Sequence, residues 1–314
     1  MGIKGLKKII KKYAGSALRE IKINELSGNS IAVDSSILLY KFRYLYQDNY
    51  LYGFNKLIDD YQFHNIKLIF VFEGRIPDAK KETIAKRVEI RNKQTEKIKR
   101  IIMESMEQEE FIDDSELPES PELPELIKEK VEKLRKNIII VNSEHSNETI
   151  KLLLRRGIEY IRAQGEAEEY CAFLSNRGIV DYVLTEDTDS LTFGAKKVLF
   201  NNKGVNYLLC ELDIVLKELN LIQNEFIDFC ILCGCDYLPG IPKIGPVNSL
   251  KIIQKHKTID SFIQENEKTK KYIIPESFNY SLARELFKQN RKYSINTNIP
   301  IINENTPIIP LFIN

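Results

Sequence analysis

Four short apolar runs, at 30–34, 67–73, 158–161 and 181–185, stand out along the chain. Each is nearly continuous rather than alternating, as expected of strands buried on both faces. Residues 38–45 and 167–174, near these runs, show helical spacing. This alternation predicts an α/β fold with a mostly parallel central sheet flanked by helices. Further on, the apolar run 226–234 and the segment 247–256 read as helices. They are joined by a glycine-containing hairpin, Leu238-Pro-Gly-Ile-Pro-Lys-Ile-Gly-Pro246.

The polar residues at the ends of these runs change the picture. Three runs lead into a carboxylate, at Asp34, Glu73 and Asp187, and the fourth is followed by Glu166 and Glu168. One acidic residue after a strand is usually a turn former or a helix cap. Repetition at successive strand ends is different, because ligands of open parallel sheets bind at the C-terminal ends of the strands. Asp189 and Asp236, the latter after the run 226–234, join the set. Glu166 and Glu168 would diverge in mid-helix but can reach one site from a helix start, and Asp187 and Asp189 would share a face in an extended segment.

Charge adds an opposed pair of blocks. The total is nearly balanced, 46 Lys plus Arg against 45 Asp plus Glu. Yet residues 80–100 hold nine basic and three acidic residues, and residues 104–126 hold ten acidic and no basic ones. The basic block reads as a helix, suited either to phosphate contact or to a solvated face. The acidic block carries Pro118, Pro121 and Pro124 and reads as a mobile linker or loop.

Several function classes drop out. The N-terminus, MGIKGLKKIIKKY, lacks the apolar core of a secretory signal, and Leu6 breaks the myristoylation pattern. No run approaches the roughly 20 apolar residues of a membrane span. A soluble, intracellular protein is expected, with no compartment assigned: a nucleus or a viral replication site would both fit. Cys230, Cys233 and Cys235 crowd together, but His64, His145 and His256 offer no matching fourth ligand for zinc, so buried small side chains are the expected role. Gly240 and Gly245 have phosphate-loop spacing, but Pro246 stands where the lysine would be, which excludes ATP-driven helicase work.

Two carboxylates about 4 Å apart repel by ~4 kcal/mol at an effective dielectric near 20. A cluster of them therefore calls for cations, and hard oxygen ligands favour Mg²⁺ or Mn²⁺. Two such ions can activate water and stabilise the leaving oxygen of a phosphodiester. Backbone N–H groups at the hairpin and at the following helix start can grip a phosphate without reading sequence.

Six stretches in order, MGIKGL, IAVDSSILLY at 31–40, VFEGRIPDAKKETIAKR at 71–87, AQGEAEEYCAFL at 163–174, TEDTDSLTFG at 185–194 and GCDYLPGIPKIGP at 234–246, resemble the flap endonuclease and XPG type of structure-specific nuclease. The resemblance spans about the first 257 residues apart from the acidic linker. It implies a helical arch and a helix-two-turn-helix DNA-binding element on the α/β core. It also implies two metal sites, Mg²⁺ with Mn²⁺ able to substitute, built from Asp34, Glu73, Glu166, Glu168, Asp187, Asp189 and Asp236. Lys80 and Arg87 would contact the scissile phosphate from the arch, Tyr40 would stack on a nearby base, and Gly2 would line the site. Gly240, Lys243, Gly245 and Lys251 would hold duplex DNA at and beyond the hairpin. The organisation that follows is a nuclease region at 1–100 including the basic part of the arch, an acidic arch or linker at 101–140, a second nuclease region with the hairpin at 141–260, and a C-terminal helical extension and tail at 261–314.

The expected activity is cleavage of 5′-flap, branched, nicked or 5′-ended DNA in replication, repair or recombination, leaving a 5′ phosphate and a 3′ hydroxyl. Endonuclease, 5′ exonuclease and junction resolvase stay open, since the segment 41–66 is tyrosine-rich and lacks the acidic run that shapes a pocket for a 3′ flap. Glu73 replaces the usual Asp, and Gly240 replaces a Ser that often helps hold a monovalent ion, which leaves potassium at the hairpin open. The tail, NTPIIPLFIN, has no sliding-clamp motif. A non-catalytic DNA-junction binder is the alternative from another class. A small-molecule phosphatase is disfavoured because Ser35 and Ser36, not an Asp-x-Asp pair, follow the first of these runs.

Overall fold

The structure is a computed structural model that describes residues 2–107, 131, 134, 138–202 and 206–288. One seven-stranded sheet organises it, in the order β1-β7-β6-β5-β2-β3-β4. The strands are β1 (Leu18–Lys22), β2 (Ser30–Asp34), β3 (Lys67–Phe72), β4 (Glu159–Arg162), β5 (Tyr182–Leu184), β6 (Lys197–Asn202) and β7 (Asn206–Glu211). All four apolar runs seen in the sequence are strands, and they form the contiguous parallel group β5-β2-β3-β4. The other three escaped detection. β6 continues the parallel set beside β5, while β7 pairs antiparallel with both β6 and β1.

Alternation within the continuous apolar runs serves two cores. Ala32, Ile69 and Val71 point to one face, and Ile31, Val33, Leu68, Phe70 and Phe72 to the other. The first face is covered by α1 (Leu6–Tyr13), α6 (Ala167–Asn176), α9 (Gln223–Cys233) and α10 (Pro246–His256), among others. The second carries α2 (Ser35–Tyr46), α3 (Tyr50–Phe63) and α5 (Ser143–Arg155). The chain leaves β2 towards β3 and β4 and returns on the opposite side as β5, so a topological switch point lies between β2 and β5. A crevice at the carboxyl ends of the strands follows from that reversal.

The basic block forms α4 (Lys81–Glu107), which runs on into the first residues of the acidic block instead of stopping before it. The rest of that block, the three prolines and the C-terminal tail lie outside the described residues. Cys230, Cys233 and Cys235 are buried in the core around α9. Burial pushes the thiols of Cys233 and Cys235 up to about 12, and among the described residues the group of possible metal ligands that converges is Glu168, Asp187 and Asp189 rather than these cysteines. The three histidines are structural too: His145 caps α5 reciprocally with Asn142, His64 bonds to the Asp60 carbonyl, and His256 packs on Phe262.

Candidate active site

Asp34 ends β2 and caps α2, accepting the N–H groups of Ser36 at 3.1 Å and Ile37 at 3.4 Å through one carboxyl oxygen. Its other oxygen accepts the Thr185 hydroxyl at 2.9 Å, which ties the ends of β2 and β5 together. Glu73 follows β3 on the open side of the crevice. Glu166 sits at the N-cap of α6 and Glu168 in its first turn, so a helix start lets both side chains face one site, as their spacing allowed.

Asp187 and Asp189 differ from expectation. They are not in an extended segment: Asp187 lies in a turn and Asp189 opens the short helix α7 (Asp189–Thr192). They converge all the same, because the Asp189 N–H donates to the Asp187 carboxylate at 3.0 Å. Thr185 donates to Asp34 and accepts from the Asp187 N–H at 3.1 Å, holding the turn against β2.

Two basic residues from the start of the basic block cross the crevice. Lys80, buried at 7% exposure, donates to Glu166 and to Glu168 at 3.1 Å and lies 3.7 Å from Asp236. A lysine is seldom buried without such partners, and they raise its pKa despite the cost of burial. Arg87 grips both oxygens of Asp236 at 2.9 and 2.8 Å, and Thr83 of the same helix donates to the Asp236 carbonyl at 2.7 Å. The basic segment is therefore fastened to the loop after α9 by three of its own residues.

The carboxylates outnumber this buried charge. Burial, and next the Glu168 charge, push Glu166 up to about 7 and Asp187 up to about 6. Asp34 and Asp189 are raised well above the carboxylate range by the same desolvation, with Glu168 and Asp187 respectively as the next cause. Both carboxyl oxygens of Asp189 are buried without a hydrogen-bond partner. Oxygen atoms of Glu168, Asp187 and Asp189 lie within 4.8 Å of one another. An orphaned buried carboxylate inside an all-oxygen cluster fits a hard divalent cation.

A cavity of about 560 Å³ opens over the cluster, lined by Asp34, Glu73, Glu166, Glu168, Asp187 and Asp236 on one side. Its other walls carry Lys80, Arg87 and Arg91 with Ile84 and Ile90, facing Ile37, Tyr40 and Tyr44 of α2. Gly2, expected to line the site, is not among the residues that line the cavity, but it lies against the cluster. Its φ is +83°, and a Cβ there would fall 2.0 Å from an Asp187 oxygen, so only glycine fits against the cluster.

Gly240, Lys243, Gly245 and Lys251 do not line the cavity. They belong to the hairpin and α10, where Gly240 folds back on the end of α9 so closely that a Cβ would meet the Leu232 carbonyl at 2.8 Å. Sequence reading missed Tyr237, whose hydroxyl donates to Glu166, and the brace made by Thr185. The site's carboxylates were legible, but neither donor has a spacing signal of its own. Tyr44 was visible only as one of several tyrosines.

Known proteins resemble this chain in sequence and in fold. The XPG N-terminal domain matches residues 1–94 and the XPG I-region residues 157–236. Flap endonuclease 1-A of Sorghum bicolor is 35% identical over 309 residues, covering 92% of this chain and 75% of that protein. The chain belongs to the flap endonuclease and XPG family. It is accordingly a nuclease, a hydrolase of ester bonds. Flap endonuclease 1 of Drosophila mojavensis is 34% identical, over 91% of this chain and 73% of its own length. The catalytic core of Rad2 in complex with DNA substrate superposes with a TM-score of 0.64 at 25% identity, covering 96% of this chain and 84% of that one. The family's flanked, mixed sheet is thus the fold seen here. Among the described residues no helix is long and apolar enough to cross a membrane.

Proposed function

We propose that this family member is a Mg²⁺-dependent nuclease that cleaves phosphodiester bonds of 5′-flap, branched or 5′-ended DNA. The observation that carries the reading is the Asp189 carboxylate, buried with no donor in a cluster of acidic groups beneath a cavity crossed by Lys80 and Arg87. Asp34, Glu73, Glu166, Glu168, Asp187, Asp189 and Asp236 would hold two divalent ions, Mg²⁺ with Mn²⁺ as a substitute. When bound, the ions supply Lewis acidity and lower the pKa of water near the scissile phosphate.

The remaining work belongs to the chain. Lys80 and Arg87, now paired with Glu166, Glu168 and Asp236, are placed to turn to the oxygens of an incoming phosphate and balance its developing charge. Tyr40, about two-fifths exposed on the apolar wall, offers a ring on which a base can stack. Gly2 lets the N-terminal segment lie against Asp187 and Asp189. Thr185 and Tyr237 orient Asp34 and Glu166. The hairpin with Gly240, Lys243 and Gly245, followed by Lys251, is placed to hold duplex backbone, with the exposed N–H groups at the start of α10 contributing. Gly240 brings no side-chain oxygen there, so a potassium ion would lack a ligand from that position. Residues 1–100 and 141–260 act together as the nuclease, with 101–140 as the arch or linker and 261–314 as an extension.

The test uses end-labelled 5′-flap, nicked duplex, fork and four-way-junction DNA, with Mg²⁺ or with EDTA. Wild type is expected to cut near the junction only with the metal, and Asp187→Asn to bind without cutting. Binding without any cleavage by wild type in Mg²⁺ or Mn²⁺ would leave the DNA-junction binder as the function.

A further inference from the structure

The N-terminal helix α1 carries Lys7, Lys8, Lys11 and Lys12, with Lys4 just before it, and no acidic residue. As a sequence this is a basic amphipathic helix, a pattern that also suits a membrane surface. The fold removes that option, because Leu6, Ile9 and Ile10 are spent in the core. Only the cationic side is available. Lys7 lies 3.5 Å from Glu186 and sits over Phe200. Among the described residues Lys4, Lys8 and Lys11 are exposed and make no ion pair within 4 Å. Lys8 and Lys11, three residues apart on α1, share a face of the helix, and Lys4 sits in the turn that leads into it.

The placement of these lysines is specific. Gly2 abuts Asp187 and Asp189, the Lys4 N–H donates to the Gly234 carbonyl at 3.0 Å, and a Cβ on Gly5 would meet the Pro246 ring at 2.7 Å. Four consecutive residues therefore bridge the carboxylate cluster and the hairpin base, and α1 continues directly from that bridge.

We infer that Lys4, Lys8 and Lys11 form a phosphate-binding track for the duplex arm held between the hairpin and the cluster. The inference rests on the proposed reading of the hairpin as a duplex site. Mobile ammonium groups recognise backbone phosphates and not bases, so they add affinity and on-rate without sequence preference.

The test measures binding of nicked duplex DNA in EDTA over a range of salt concentrations, for wild type and for Lys4→Gln/Lys8→Gln/Lys11→Gln. The expected result is a slope of log K against log salt shallower by ~0.9 for each phosphate no longer neutralised, up to about 2.7 for three, with the thermal midpoint unchanged. The arginine triple variant should keep the wild-type slope. Lys56→Gln/Lys151→Gln, on α3 and α5 across the sheet, should also keep it. A glutamine triple that is folded but keeps the wild-type slope would overturn the track and make α1 a merely solvated face. Cleavage of the same DNA in Mg²⁺ is scored separately, so that a wild type that binds but never cuts defeats the nuclease reading while the slope still decides the track. A wild type without salt-dependent duplex binding overturns both.

Discussion

Two crowds of metal-ligand residue types stand in this chain, and they meet opposite fates. Cys230, Cys233 and Cys235 are closer together in sequence than any three of the candidate site's carboxylates, yet they disperse into the apolar packing of α9 and the turn after it. Asp34, Glu73, Glu166, Glu168, Asp187 and Asp236 come from five separate stretches and line one cavity. Burial raises the pKa of Asp34 and Asp187 in the one group as it raises that of Cys233 and Cys235 in the other. The difference is what desolvation does to each. A protonated thiol is a small hydrophobe and is content in the core, whereas a buried carboxylate without donors calls for a cation or a proton. Proximity in sequence says little about ligation. Convergence with unsatisfied oxygens says much more.

The strongest way to break that comparison is to neutralise the orphaned oxygens. Asp189→Asn should cost on the order of 10³-fold in single-turnover cleavage, several kcal/mol of barrier, while DNA binding in EDTA persists. A variant that cuts at the wild-type rate would show that this carboxylate holds nothing essential. Lys80→Ala should cost about 10²- to 10³-fold in the same assay, the scale of removing one preorganised donor to a developing charge. Retained binding with a lost rate would separate its role from simple substrate capture.

The titrations sharpen the contrast further. Glu166 and Asp187 titrate near 7 and 6 in the fold, above their ordinary values of 4.5 and 3.8. The native protein therefore holds protons that the unfolded chain has already released, and this stabilisation is complete below the unfolded values and lost as pH rises through the folded ones. The thermal midpoint of metal-free protein should fall from about pH 5 to about pH 7.5, and Mg²⁺ should restore it at the upper end. A midpoint that rises over that window would contradict the desolvated cluster. The smallest effect belongs to the other crowd. Cys230→Ala should lower stability by about 1–2 kcal/mol in a chemical melt and leave both cleavage and zinc content at wild-type levels.

Legibility in the sequence followed burial. The strands β2, β3, β4 and β5 are apolar nearly throughout because both of their faces are covered, and so they stood out. β1, β6 and β7 are more polar; β1 in Leu-Arg-Glu-Ile-Lys carries its charges at an exposed edge, which blurs the pattern. The acidic residues were recognisable by their recurrence after strand ends, but the backbone at Asp187–Asp189 was not. A turn and a short helix bring those side chains together as well as an extended segment would have done.

The chain's own order of residues determined the α/β class, the central parallel strands, the acidic positions and the opposed charge blocks, because periodicity and charge are local properties. Which strands are neighbours was decided only in three dimensions, and with it the switch point that sets Asp34 beside Asp187. The same holds for Lys80 among Glu166, Glu168 and Asp236, for Tyr237 on Glu166, and for Gly2 and Gly5 spanning from cluster to hairpin. These contacts join residues far apart in the chain. Their energetics depend on desolvation and on charge at close range, and neither exists until the sheet and its helices have closed around them.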